Sequence, residues 1–153
     1  MTRAWRILKT RFAADAFRGE GARLYGGRWN STGVAMVYTA SSVSLATLEL
    51  LVHLDSSTIL PSYSICPVDF DDSLMEVVDP AVLPLDWQQS PPPTSLQVIG
   101  DEWISRLSSV VLRVPSAVIA SENNYLINPA HKDFKKLSIG NMKPFSFDSR
   151  LIS

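Results

Sequence analysis

Three short segments combine residue types that ordinary core-and-surface patterning does not require. The first is Gly26-Gly27-Arg28-Trp29-Asn30. Paired glycines let the backbone approach a ligand closely, and the arginine that follows can grip a phosphate or carboxylate with two parallel bonds. Taken alone, the same residues also make a plain glycine turn with a surface arginine stacked on Trp29. Neither G-x-G-x-x-G nor G-K-[ST] is present, so the segment is not a Rossmann fingerprint or a P-loop.

The second is Glu49, set among Val43, Leu45, Ala46, Leu48, Leu50, Leu51, Val52 and Leu54. An ionised glutamate on an apolar rod is costly without a partner or a function. The plain alternatives are an ion pair with an arginine or a gap that reaches solvent. His53, one turn on, reads as an end to the polar stripe. The third is Ser121-Glu122-Asn123-Asn124, directly after an apolar stretch. Such groups at a strand end make a binding rim, or else an Asx or Ser turn. Ser121 is not in a G-x-S-x-G elbow. His131, in Asn-Pro-Ala-His, reads as a turn contact, and no metal-ligand constellation is visible.

The elements that must carry these residues can be read from periodicity and punctuation. Trp5–Leu8, Val34–Thr39 and Tyr63–Val68 read as strands. Phe12–Gly27, with glycines at 19, 21, 26 and 27, reads as loop with at most one helical turn. Ser41–Leu54 reads as a helix capped by Ser41 or Ser42, and its apolar residues cover most of the circumference, which predicts deep burial. Prolines at 80, 84, 91, 92 and 93 exclude regular helix or central strand there. Trp87 and its neighbouring leucines make that stretch an ordered excursion rather than a linker. Leu96–Leu107 reads as a second helix with Gly100 as its weak point. Val110–Val114 and Ala117–Ala120 read as a strand pair or one strand interrupted at Pro115, and Phe145–Ile152 as a closing strand.

The 153 residues suit one domain, here 1–153, of the α+β class: a compact mixed fold of short strands and two main helices. Hydrophobic residues make up 46% and charged residues 19%, which is globular composition. A net charge of −1 gives no electrostatic case for nucleic acid or an anionic membrane. Cys66 is the single cysteine and the chain has two histidines, which excludes a zinc-finger scaffold and an intrachain disulfide. With no signal-peptide pattern at the N-terminus and no apolar run long enough to span a bilayer, the expected compartment is the cytoplasm.

Several segments together resemble the RES domain, named for its arginine, glutamate and serine. They are Gly27-Arg28-Trp29-Asn30, Val37-Tyr38-Thr39-Ala40 and Leu45-Ala46-Thr47-Leu48-Glu49, then Gly100-Asp101-Glu102-Trp103 and Leu112-Arg-Val-Pro-Ser-Ala-Val118. Glu122-Asn-Asn-Tyr-Leu-Ile-Asn-Pro-Ala-His131 and Phe147-Asp-Ser-Arg-Leu151 complete the series. The order and spacing of these pieces cover nearly the whole chain. Family members are toxins of bacterial Xre–RES toxin–antitoxin pairs. They act on NAD, either cleaving the nicotinamide–ribose bond, some with phosphate as acceptor, or ADP-ribosylating a protein.

The resemblance implies a fold related to ADP-ribosyltransferase toxins, NAD as substrate without a metal, and a cognate Xre-type antitoxin. A homodimer is left open by the exposed apolar content. The resemblance places Arg28, Tyr38, Glu49 and Ser121 at the catalytic positions, with Ser116 a second candidate serine. Arg28, Trp29, Asn30, Tyr38, Asn123 and Asn124 are the expected NAD-binding set. In that reading Glu49 stabilises positive charge on the ribose, Arg28 pairs with the pyrophosphate, Tyr38 stacks on nicotinamide and Ser121 bonds the ribose or the acceptor. A non-catalytic nucleotide-binding role is the remaining alternative.

Overall fold

The computed structural model describes residues 1–54 and 61–152. Along the chain come β1 (Thr2–Lys9), α1 (Glu20–Tyr25), β2 (Val37–Ala40), α2 (Val43–Leu51), β3 (Tyr63–Phe70) and β4 (Met75–Val77). They are followed by α3 (Thr94–Arg106), β5 (Val111–Pro115), β6 (Asn123–Ile127), β7 (Ser138–Ile139) and β8 (Lys143–Phe145). The strands form one sheet in the order β4-β5-β6-β2-β1-β3-β7, with β8 also paired to β3. Only the β4–β5 pair is parallel among the described strands. The α+β class expected from the sequence is the class observed.

Alternation along the strands sends successive residues to opposite faces. Val111 joins Ala4, Val37, Val68 and Ile127 in one apolar cluster, while its neighbour Leu112 joins Trp29, Met36, Leu96, Trp103 and Leu126 in another. Leu96 and Trp103 of α3 are essentially inaccessible, so α3 covers the second face. Burying a large apolar side chain this way contributes about 1.5–3 kcal/mol. A smaller cluster, Ala40, Leu45 and Ala46 with Ile7, seats α2 against β1 and β2.

Several expectations need correction. The α2 helix begins as expected, with Ser42 Oγ accepting from the Leu45 N–H at 3.0 Å. It is shorter than Ser41–Leu54 and is not buried all round: Leu48 is 39% and Val52 60% exposed. A helix lying on one sheet face has one covered side whatever its composition. Ala117–Ala120 is a turn, and the polar stretch Asn123–Tyr125 opens β6. Phe145–Ile152 is not a strand: pairing stops at Phe145, and Ser149–Ile152 forms a 3-10 turn. Met75–Val77, which has no sequence signal beyond Val77 and Val78, supplies an edge strand.

Gly100 has a reason to be in α3. A Cβ there would lie 1.7 Å from the Trp29 carbonyl oxygen. Its lack of a side chain lets the helix touch the Arg28 loop backbone directly. No helix among the described residues is long and apolar enough to cross a membrane.

Candidate active site

The Arg28 loop is shaped before any ligand arrives. Gly26 has φ +73°, the left-handed region that favours glycine. A Cβ on Gly27 would fall 2.6 Å from the Tyr38 hydroxyl and 2.8 Å from Asn30 Oδ1. The Asn30 side chain is fully buried, and its Nδ2 donates to the carbonyls of Ala22, Ser31 and Val34. The Trp29 ring sits in the core under the loop. Expected among the groups that touch NAD, these two side chains face inward and fix the loop's shape.

Three residues of α3 hold the loop from outside. Gln97 Nε2 donates to the Gly27 carbonyl at 2.9 Å. Gly100 makes the close approach to Trp29, and the Asp101 carboxylate accepts from the Ser31 N–H at 3.0 Å and from Ser31 Oγ at 2.5 Å. Positions 97, 100 and 101 share one helix face by the i, i+3, i+4 rule. The Gly-Asp-x-Trp motif is thereby explained: glycine and aspartate brace the loop, and Trp103 anchors the helix.

Arg28 emerges from this scaffold. Its Nη1 donates to the carbonyls of Trp87 at 2.9 Å and Gln89 at 2.7 Å. The proline-rich excursion thus forms a strap beside the loop. Burial lowers the guanidinium pKa, with Tyr38 opposing the shift. The Tyr38 hydroxyl donates to Asn30 Oδ1 at 2.5 Å and accepts from the Trp29 N–H at 3.0 Å. Burial raises its pKa so far that it stays protonated. Tyr38 is therefore no base here, and its hydroxyl is committed to the Arg28 loop.

Glu49 is reached from the other side. Its Oε2 accepts from Ser116 Oγ at 3.0 Å and its Oε1 from Asn124 Nδ2 at 2.8 Å. Burial raises the carboxyl pKa, the two hydrogen bonds pull it back, and Glu122 adds a small upward push. Both oxygens of this half-buried side chain are held by donors, so the charge is oriented before a substrate is present. Asn124 is held in turn by donating to the Thr39 carbonyl at 3.2 Å.

Ser116 is fully buried at the end of β5. Its Oγ accepts from the Val118 and Ile119 N–H groups at 3.1 and 3.2 Å, winding the turn that follows. Ser121 is exposed on that turn. The structure brings Ser116, Asn124 and Glu49 together; Ser121 has no hydrogen bond to the carboxylate. Asn123, next to Asn124, lines a groove on the far side of the strap together with Trp87 and Pro115. Gln88 Nε2 reaches the Ala117 carbonyl at 3.4 Å, so the strap runs from Arg28 to the Ser116 turn.

One residue escaped the sequence reading. Arg6, in β1, gives Nη1 to the Tyr38 carbonyl at 3.0 Å, while its buried Nε has no partner among the described residues. Burial brings its pKa down to about 10, and only Cys66 opposes the shift among the described residues. It stands where β1 parts from β2, which share the single Trp5–Ala40 pair. A buried guanidinium with no acid beside it among the described residues has the chemistry to pair with an anion. The available signal was an arginine inside the apolar strand Trp5–Leu8.

The remaining suspects are structural. His131 Nδ1 accepts from the Asp133 N–H at 2.9 Å, and its Nε2 lies 2.9 Å from the Leu107 carbonyl, a turn contact as expected. Cys66 is buried, its Sγ donating to the Gly140 carbonyl at 3.1 Å, and burial pushes its pKa up. Among the described residues no three His, Cys, Asp or Glu side chains are grouped to hold a metal.

Comparison with known proteins places the chain. A family model described as RES domain matches residues 3–148. A protein of Yersinia enterocolitica named Toxin Res is 42% identical over 149 residues, spanning 96% of this chain and 97% of that one. A protein of Sphingobium named Prs ADP-ribosylating toxin is 36% identical over 156 residues, spanning 99% and 97%. Among solved structures, the Mycobacterium tuberculosis MbcT–MbcA toxin–antitoxin complex contains a chain with the same fold. Its TM-score is 0.75 at 19% identity, over 95% of this chain and 84% of that one.

Proposed function

The chain belongs to the RES-domain family, and we propose that it is the toxin of a toxin–antitoxin pair that destroys NAD by breaking the nicotinamide–ribose bond. The observation that carries this reading is the Glu49 carboxylate, half-buried and held at both oxygens by Ser116 and Asn124. When the C1′–N bond breaks, both electrons leave with nicotinamide, whose ring loses its positive charge. The ribose is left with oxocarbenium character, as in glycoside hydrolysis. A fixed carboxylate in a poorly hydrated site stabilises that charge where it develops. Water adding to C1′ and losing a proton gives ADP-ribose; phosphate adding there gives the 1″-phosphate.

The other residues bind and orient. Among the described residues Arg28 Nε and Nη2 have no hydrogen-bond partner while Nη1 holds the strap, and Arg6 carries a second guanidinium whose Nε is likewise unpartnered. Two such cations suit a pyrophosphate. The Tyr38 ring suits the nicotinamide face. Ser116, rather than the exposed Ser121, is the serine that acts on the carboxylate, and its role is positioning. Nicotinamide is a good leaving group, so a second catalytic carboxylate is not required. An antitoxin partner follows from the toxin names of the relatives and from the solved toxin–antitoxin complex of the same fold.

A second reading, transfer of ADP-ribose to a protein, is favoured by the Sphingobium relative's name. One experiment separates them. Purified chain, free of antitoxin, is given NAD labelled in its adenylate half, with and without phosphate. Free nicotinamide with labelled ADP-ribose means hydrolysis, and a phosphate-dependent labelled sugar phosphate means phosphorolysis. Label on an added protein extract means ADP-ribosyl transfer. No nicotinamide in any arm overturns both readings and leaves a binding role.

A further inference from the structure

We infer that Glu122 selects the acceptor of the reaction: it admits water, whose proton it takes, and turns phosphate away. This rests on the NAD-cleaving reading above and adds which group receives the ribose. The register of the β5–β6 hairpin brings Glu122 to the carboxylate's donors. Val114 pairs with Asn124 and Pro115 with Asn123. One step outward, the Ser116 N–H donates to the Glu122 carbonyl at 2.9 Å, so Ser116 and Glu122 oppose each other. Opposed residues of an antiparallel pair project to the same face, and so do residues two apart on one strand. Ser116, opposite Glu122, and Asn124, two residues on, are the two groups that hold Glu49. Glu122 is thus the third residue on the face that carries both donors. The electrostatics agree. Glu122 is the charged group that acts on the Glu49 carboxyl, pushing its pKa up, and no cation opposes it among the described residues.

Exposure and chemistry give it the outer role. Glu122 is exposed, whereas Ser116 is fully buried. Among the described residues its carboxylate has no hydrogen bond or ion pair. A sugar whose C1′ lies against Glu49 then has a second negative charge on its solvent side. In hydrolysis the C1′–N electron pair leaves with nicotinamide, the water oxygen bonds to C1′, and one water proton must be taken up. Glu49 is engaged at both oxygens by Ser116 and Asn124, and Tyr38 stays protonated. Glu122 is the carboxylate left to take that proton and pass it to solvent. Phosphate needs no such help, because it attacks through an oxygen that is already negative. It meets repulsion from two carboxylates instead.

The test compares the parent chain with Glu122→Gln and Glu122→Asp, each given NAD in buffer alone, with phosphate, and with azide. Azide is an anion that attacks without losing a proton. Residue 122 is exposed and the hairpin uses its backbone N–H and carbonyl, so both variants keep those bonds. The parent is expected to form ADP-ribose as its main product even when phosphate is present. Glu122→Gln should hydrolyse NAD about a hundredfold more slowly, the usual share of a general base. Azide should restore its nicotinamide release, with ADP-ribosyl azide as the product. Its ratio of sugar phosphate to ADP-ribose should rise about tenfold or more once the repelling charge is gone. Glu122→Asp should keep the parent's product ratio. Glu122→Gln with the parent's rate and product ratio overturns the proposal. So does a slowed Glu122→Gln that azide does not rescue, or a parent that makes mainly sugar phosphate; in all three the NAD-cleaving reading stands. A parent that releases no nicotinamide with any acceptor overturns that reading and the proposal together.

Discussion

Glu49 and its two donors set what can be expected of single residues. Ser116→Ala removes one donor to the carboxylate and the anchor of two backbone N–H groups, all in a buried place. Losses of that kind cost about 1–3 kcal/mol. Thermal denaturation should show it, while Ser121→Ala, on an exposed turn, should stay within about 0.5 kcal/mol of the parent. Equal effects from the two serines would contradict the assignment of Ser116.

The titration of Glu49 supplies a second expectation. Burial raises its pKa, so the charged form that the proposed reaction uses is lost at a pH above the ordinary glutamate range. The acid limb of kcat/KM should therefore lie above that range. Losing the Ser116 hydrogen bond should move the limb further up, because that bond favours the carboxylate. The linkage to stability has the opposite sense. A folded pKa above the unfolded one stabilises the protein at acid pH, and the contribution fades as pH rises through the folded pKa. Glu49→Gln should accordingly leave thermal stability at neutral pH no lower than the parent's, as read by Tm. Part of this site was legible in the sequence because glutamate on an apolar helix and arginine after paired glycines are both anomalies. The choice between Ser116 and Ser121 was not, because it depends on β5 ending at Pro115 rather than running on.

At the scale of elements, α3 shapes the Arg28 loop through Gln97, Gly100 and Asp101. Gly100→Ala would drive a methyl into the Trp29 carbonyl, 1.7 Å away, and must push helix and loop apart. Overpacking of this kind typically costs about 1–3 kcal/mol. Asp101→Asn weakens the clamp on Ser31 and should raise KM for NAD more than it lowers kcat, since Asp101 orients the Arg28 loop and meets no reacting atom. Steady-state kinetics distinguish this from a loss confined to kcat, which would contradict it.

The elements also show why sequence reading stopped where it did. Ser42 as the cap of α2 was legible because capping is local. β6 was missed because Asn123 and Asn124 read as turn residues, yet Asn124 is polar in order to hold Glu49. Helix α2 was over-buried because hydrophobic composition does not reveal which side a sheet covers; Leu48 and Val52 stay exposed. The edge strand Met75–Val77 exists through its pairing with Val111–Arg113, a contact remote in sequence.

For the whole molecule, elements in or on one sheet carry a carboxylate on α2, its amide and hydroxyl donors on the β5–β6 hairpin, and arginines in β1 and the loop after α1. None of these lies in one short motif, so their assembly is a property of the fold. The chain's net charge of −1 leaves no basic face to expect on nucleic acid. Alone it should show no salt-dependent affinity for duplex DNA by fluorescence anisotropy, and DNA recognition by the pair should require the antitoxin. Tight binding by the isolated chain would contradict that division.

The central claim is that a preorganised Glu49 carboxylate drives loss of nicotinamide. The direct measurement is single-turnover release of nicotinamide from saturating NAD by the parent chain and by Glu49→Gln, which keeps the shape and removes the charge. Removing one preorganised electrostatic group should slow the step by about a hundredfold or more. Release by Glu49→Gln at near the parent rate would contradict the account.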